Sequence, residues 1–188
     1  MLEELIIAGF GGQGVLSMGQ TLAYSAMIEG KEVSWMPSYG PEMRGGTANC
    51  ITIISDQKIS SPIISEYDTA IVLNQPSMDK FESKVKPGGF LIYESNNVKE
   101  ISKRTDIEII GIPAAEEAVK LNNPKVFNMI ILGAYLERKP IVQPDNVIEA
   151  LKKVLPERYH HLLDLNKQAL NIGAEIVEKQ FAQQGLAF

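Results

Sequence analysis

The chain has 188 residues, 45% of them hydrophobic, with a formal net charge of −5 and a pI near 5.2. That length predicts one domain with a sizeable core, and the acidic balance speaks against a broad nucleic-acid footprint, which needs basic faces. No apolar run approaches the ~20 residues of a membrane span, and Met1-Leu2-Glu3-Glu4 leads into a strand without a basic or apolar leader, so the expectation is no signal peptide, no membrane and a cytoplasmic location.

A strand is expected over residues 3–8 and a helix over about 14–29, where Val15, Met18, Leu22, Ala26 and Ile28 keep helical spacing and Gly30 supplies the stop. A second strand follows at 31–36. Residues 47–55 are β-branched and apolar, Ser55-Asp56-Gln57-Lys58 reads as a turn and a short strand is expected after it, giving a hairpin inserted in an otherwise parallel sheet. Asp68 to Asn74 is an almost continuous apolar run, as buried parallel strands have. A short helix over Gln75–Phe81, a turn at Lys86-Pro87-Gly88-Gly89 and strands at 90–93 and 107–110 come next. Pro113 with Glu116-Glu117 suits a helix start. Val126 to Lys139 is apolar nearly all round and predicts a buried helix, Asp145 to Val154 a short amphipathic one, and the segment from Pro156 toward Phe181 a long one, before a frayed tail. The fold class is therefore a single α/β domain over residues 1–188, Rossmann-like. Its mixed, mainly parallel sheet is flanked by helices (core 1–155), and a C-terminal helix spans 156–182.

Two loops carry candidate chemistry. Gly9-Phe10-Gly11-Gly12-Gln13-Gly14 joins the first strand to the first helix, the setting in which a glycine turn lets a phosphate or another backbone approach helical N–H groups. Gly9, Gly11 and Gly14 satisfy G-x-G-x-x-G, but a dinucleotide site also wants an acid at the end of the second strand. Glu29 and Glu32 come too early for that role, Glu42 lies past the strand and Arg44 is too late for an NADP phosphate. A free-standing NAD(P)-dependent oxidoreductase stays as one alternative. The second loop, Ser38-Tyr39-Gly40-Pro41-Glu42-Met43-Arg44-Gly45-Gly46, leaves the second strand on the same side, with Ser38, Tyr39 and Arg44 as its polar groups. Arg44 either meets an anion through its bidentate fork or pairs with an acid such as Glu42.

The remaining polar residues read more blandly. Cys50 is the sole cysteine, so the chain has no internal disulfide and cannot hold an iron–sulfur cluster by itself; a small buried hydrophobe is its expected role. His160-His161 point about 100° apart on a helix and make no chelate. Asn128, a polar amide in a very apolar helix, either bridges backbone in the core or faces the two loops. Trp35 and Met36 pack in the core or border a subunit interface.

The pair of loops, the following Thr47-Ala48-Asn49-Cys50, and Asn128-Met129-Ile130-Ile131-Leu132-Gly133-Ala134 together resemble the gamma subunit of 2-oxoacid:ferredoxin oxidoreductases over nearly the whole chain. The second loop looks more like subunits acting on 2-oxoglutarate or branched-chain 2-oxoacids than the pyruvate type. The resemblance implies one subunit of a thiamine-diphosphate-dependent complex that converts a 2-oxoacid, with 2-oxoglutarate expected, to an acyl-CoA and passes electrons to ferredoxin. Thiamine diphosphate, Mg2+ and the iron–sulfur clusters would sit on partner subunits, CoA would be the co-substrate, and this chain would carry no catalytic residue or metal ligand and be inactive alone. The residues expected at the shared pocket are Gly11, Gly12, Gln13, Gly14, Ser38, Tyr39, Arg44, Gly45, Gly46 and Asn128. A purely structural subunit is the other alternative.

Overall fold

The computed structural model describes residues 1–39 and 47–183. Strands β1 (Leu2–Phe10), β2 (Glu32–Tyr39), β3 (Thr47–Ser55), β4 (Tyr67–Val72), β5 (Val85–Glu94) and β6 (Glu108–Ile112) form one sheet in the order β2-β3-β1-β4-β5-β6. Only β3 runs against its neighbours; β1, β4, β5 and β6 pair in parallel. The helices are α1 (Val15–Ile28), α2 (Gln75–Phe81), α3 (Ala114–Lys120), α4 (Phe127–Arg138), α5 (Pro144–Val154) and α6 (Leu163–Gln183). This is the expected α/β class, a mixed, mainly parallel sheet between helices.

Alternation along β1 divides the core. Leu5 and Ile7 face a large cluster shared with α1, α3, α4, α5 and α6, while Ile6 and Ala8 face a smaller one with Met78 and Phe81 of α2. The C-terminal helix is thus part of the main core. Gly133 of α4 and Gly173 of α6 let the two helices touch backbone to backbone: a Cβ on Gly133 would overlap the Leu170 carbonyl, and one on Gly173 the Ile130 carbonyl. At the N-terminal end of β1 the buried carboxylate of Glu3 accepts from Thr69 Oγ1 (2.5 Å), Tyr135 OH (3.1 Å) and Lys139 Nζ (3.2 Å), fixing α4 to the sheet. Burial, and then the Glu3 charge, pushes the Tyr135 phenol well up.

Several boundaries differ from the sequence reading. β1 extends through Gly9 to Phe10 because β3 pairs along its whole length, ending at Phe10 opposite Thr47. β2 runs through Pro37 to Tyr39, which an edge strand tolerates because one side of it needs no N–H. The hairpin partner of β3 is β2; the strand expected after Lys58 is not formed, and residues 56–66 are irregular. β3 already has a neighbour on each side and leaves no edge for another strand. The turn expected at 86–89 is a bulge inside β5, where the register jumps from Tyr67–Val85 to Thr69–Phe90 and Gly88 takes φ 77°. β4 stops at Val72, and Asn74 caps α2 by accepting from Ser77 N at 2.9 Å. Residues 157–162 form a 3-10 turn ahead of α6, so His160 and His161 lie outside the long helix in which they were expected.

Candidate functional site

The chain leaves β1 into α1 on one face of the sheet and leaves β4 into α2 on the other. The crevice between the C-terminal ends of β1 and β4 is therefore the topological switch point, where open α/β sheets bind ligands. Here protein fills it. Gln13 lays its side chain across the gap: Nε2 donates to Leu73 O (3.2 Å), and Oε1 accepts from Phe10 N (2.6 Å) and Asn74 Nδ2 (3.3 Å). Gly9 has no room for a side chain, since a Cβ there would lie 2.7 Å from Gln13 Oε1 and 3.0 Å from Leu73 Cβ. Gln13, expected to touch a ligand, has its amide committed to the two strand ends.

The turn itself points outward. Gly12 (φ 93°) is exposed with open space where a Cβ would be, and Gly14 (φ 75°) is the left-handed N-cap of α1. No side chain caps this helix, and Met18 N donates to Gly14 O at 2.8 Å as its first bond. Among the described residues, the N–H groups of Gly11, Gly12, Gly14 and Val15 to Ser17 have no acceptor. They form a row of donors at the positive end of a 14-residue helix. Asn128, in the first turn of α4, is half-buried with its amide against Gly14: a Cβ on Gly14 would overlap Nδ2 and lie 3.1 Å from Cγ. The Asn128 side-chain amide has no hydrogen-bond partner among the described residues.

The second loop emerges at the same end of the sheet, but β3 intervenes. Phe10, Thr47 and Ala48, and Tyr39 lie side by side there, so the ends of β1 and β2 are two strand spacings, roughly 10 Å, apart. Ser38 is exposed at the end of β2, and Tyr39 closes the strand. Arg44, Gly45 and Gly46 lie outside the described residues.

Cys50 is fully buried where α1 crosses β2 and β3. Gly19 makes that crossing possible, since a Cβ there would overlap Cys50 Sγ and come within 3.0 Å of Thr52 Oγ1 and 3.1 Å of Trp35 Nε1. Burial pushes the Cys50 thiol up to about 12. The residues present do not fit an iron–sulfur cluster or a metal centre: the only cysteine is sealed in the core, and among the described residues no three His, Cys, Asp or Glu converge. His160 Nε2 sits 3.0 Å from Leu155 O, and His161 is exposed. Trp35 packs partly buried against the main core.

Sequence reasoning missed the wall opposite the turn. Leu151, Leu155, Tyr159, His161 and Asn166 face Gly14 and Asn128 across an open cleft, and no motif marks them.

Residues 4–176 match the family "POR: Pyruvate ferredoxin/flavodoxin oxidoreductase". The chain belongs to this family. It is 37% identical over 174 residues to "Ketoisovalerate oxidoreductase subunit VorA" of Methanothermobacter marburgensis, covering 92% of this chain and 36% of VorA. It is 32% identical over 162 residues to "2-oxoglutarate synthase subunit KorC" of Methanocaldococcus jannaschii, covering 84% of this chain and 86% of KorC. Among solved structures, the keto/oxoacid ferredoxin oxidoreductase gamma subunit from Geobacter sulfurreducens PCA superposes with a TM-score of 0.79 at 27% identity, over 93% of this chain and 95% of that one. The chain spans about a third of the length of the VorA relatives it matches. Within the family, then, similar sequences carry names for two different 2-oxoacids.

Proposed function

We propose that this POR-family chain is the gamma subunit of a multi-subunit 2-oxoacid:ferredoxin oxidoreductase and is inactive without its partners. The family match across residues 4–176 carries this reading. The complex would decarboxylate a 2-oxoacid oxidatively, with 2-oxoglutarate as the first candidate and a branched-chain 2-oxoacid as the second, form an acyl-CoA and send electrons to ferredoxin. Thiamine diphosphate with Mg2+ and the iron–sulfur clusters would belong to partner subunits; for the clusters this reading is supported by the single, buried cysteine. We read residues 1–188 as one domain working in the cytoplasm; among the described residues no helix is long and apolar enough to cross a membrane.

The chain's own contribution is a wall of the shared pocket. The unpaired N–H groups of the Gly11–Gly14 turn would receive an anionic group, such as a CoA phosphate, with Ser38, Tyr39, Arg44, Gly45, Gly46 and Asn128 bordering it. Gln13 would act by bracing the turn. Two features argue against a free-standing NAD(P) enzyme: Gln13 occupies the crevice a pyrophosphate would need, and β3 sits between β1 and β2, so no acid at the end of β2 could reach a ribose held at the turn.

The test is isolation of the native complex, with mass spectrometry of its chains and 2-oxoacid-dependent, CoA-dependent dye reduction. Expected are a thiamine-diphosphate-binding partner and turnover with 2-oxoglutarate above that with ketoisovalerate. A chain that purifies alone and reduces NAD(P) with a small substrate would overturn the reading. Within the complex, Arg44→Ala should leave assembly intact and weaken the CoA or 2-oxoacid dependence by about 1.5–3 kcal/mol, with Arg44→Lys recovering only part. Unchanged constants for both substrates would leave the purely structural role.

A further inference from the structure

A cleft of about 740 Å³ opens between the first turns of α1 and α4, the C-terminal end of α5 and the 3-10 turn before α6. We propose that it binds an organic anion with an apolar body, the head group lying against the Gly14–Asn128 corner. The proposal rests on the reading that the glycine turn faces a ligand, and adds where that ligand lies and what kind it is.

Three observations carry it. First, the walls are largely apolar, with Val126, Met129, Leu151, Leu155 and Leu162 contributing, so a bare inorganic ion would leave most of the space unused. Second, among the described residues no Asp or Glu lines the cleft, although the chain as a whole is acidic; Lys125 and His161 line it, and Lys125 has no ion-pair partner among the described residues. Third, the donors at its closed corner are unused. The start of α1 has no side-chain cap, and the half-buried Asn128 amide bonds to nothing described. An uncapped helix start and a free amide beside apolar walls suit an anion far better than a cation or a neutral sugar. The switch-point crevice offers no competing place, because Gln13 fills it.

The probe is 8-anilinonaphthalene-1-sulfonate, an aromatic body with one anionic group, titrated into the purified full chain against its neutral counterpart N-phenyl-1-naphthylamine. One equivalent of the sulfonate should bind, and the neutral compound at least tenfold more weakly. Lys125→Glu and Asn128→Asp should each weaken sulfonate binding about tenfold, the effect of losing one charge-assisted contact. Lys99→Glu, remote from the cleft and exposed, should change nothing. Near-UV circular dichroism identical among the variants ensures that the comparison is between folded proteins. Displacement by adenosine 5′-monophosphate would support the proposal with a phosphate ester as the natural class, and displacement by octanoate would support it with an acyl carboxylate. No saturable binding, equal binding of the neutral compound, or equal affinity in all variants would overturn it. Loss of the site in the assembled complex through coverage by a partner polypeptide would also overturn it, making the cleft a protein contact. A chain that assembles with its partners but binds no sulfonate refutes only the cleft; one that binds sulfonate but finds no partner refutes only the subunit reading.

Discussion

Gly133→Ala tests the physical meaning of the motif Asn128-Met129-Ile130-Ile131-Leu132-Gly133-Ala134. On helix propensity alone, alanine would stabilise α4 by about 0.8–1.0 kcal/mol. Packing works the other way. The added methyl would overlap the Leu170 carbonyl of α6, with the carbonyl carbon 2.7 Å away and Cα 2.9 Å away. Comfortable separation for such atoms is about 3.5 Å or more, and the obstacle is helical backbone, which cannot rotate aside as a side-chain tip can. The helices must part, opening the core between Ile130, Ala134, Leu170 and Val177. Overpacking typically costs about 1–3 kcal/mol, and backbone overlap belongs at or above the top of that range. The net expectation is a loss of about 2 kcal/mol. With a urea slope of about 2 kcal/mol/M for a chain of this size, the midpoint should fall by about 1 M, and Tm by roughly 4–8 °C. Gly173→Ala should behave alike, because its Cβ would overlap the Ile130 carbonyl from the other side of the same crossing. Urea unfolding followed by far-UV circular dichroism provides the measurement. A midpoint for Gly133→Ala equal to or above that of the parent would mean that α4 and α6 do not touch as described, and the position assigned to Asn128 against Gly14 would fall with it.

Gly12 and Gly14 separate strain from contact. Both have positive φ, so alanine at either should cost about 1–2 kcal/mol, but only at Gly14 does the methyl also displace Asn128; Gly14→Ala combined with Asn128→Ala should therefore be less destabilised than the sum of the singles, and strict additivity in urea unfolding would refute the contact. Cys50 makes an alkaline prediction. Its folded thiol, raised by burial to about 12 from 9.0, keeps its proton while the unfolded chain loses it, so stability should fall as pH rises from about 9 toward 12, by about 1.4 kcal/mol per pH unit. Cys50→Ala should flatten the decline between pH 9 and 10.5, leaving the part due to the raised phenols of Tyr67, Tyr93 and Tyr135; an unchanged slope would show that the thiol is not sealed.

The strands and helices were legible where hydrophobic period decides them. The Leu5–Ala8 run, the helical spacing from Val15 to Ile28 and the all-round apolar α4 each declared their type, since burial on both faces or one stripe leaves a local trace. What stayed hidden was pairing. That β3 pairs with β1 on one side and β2 on the other is a property of three segments together, and the turn residues after Ser55 misdirected the hairpin to the wrong neighbour. The proline in β2 was hidden for the same reason, because its tolerance depends on the strand lying at an edge. The 86–89 glycines were recognised as a place where the chain departs from regular geometry, but whether such a departure ends a strand or bulges within it is decided by the β4 neighbour.

The candidate site shows the same division. Glycines that require positive φ announce themselves, and Gly12 and Gly14 both take it. Gln13 did not announce its role, because a glutamine within a glycine turn looks like a ligand contact until the ends of β1 and β4 are placed beside it. Once they are, its amide has a carbonyl to donate to and two N–H groups to accept from, and the crevice that defines a dinucleotide fold is closed by the protein's own side chain. Closing it carries a consequence for binding. With the crevice filled, what the turn leaves open is the exposed Gly12 and the Gly14 corner, where Asn128 stands. The fingerprint G-x-G-x-x-G therefore has the same backbone cause here as in a nucleotide-binding enzyme, a tight exit from β1 into α1, while the direction from which anything can approach has changed.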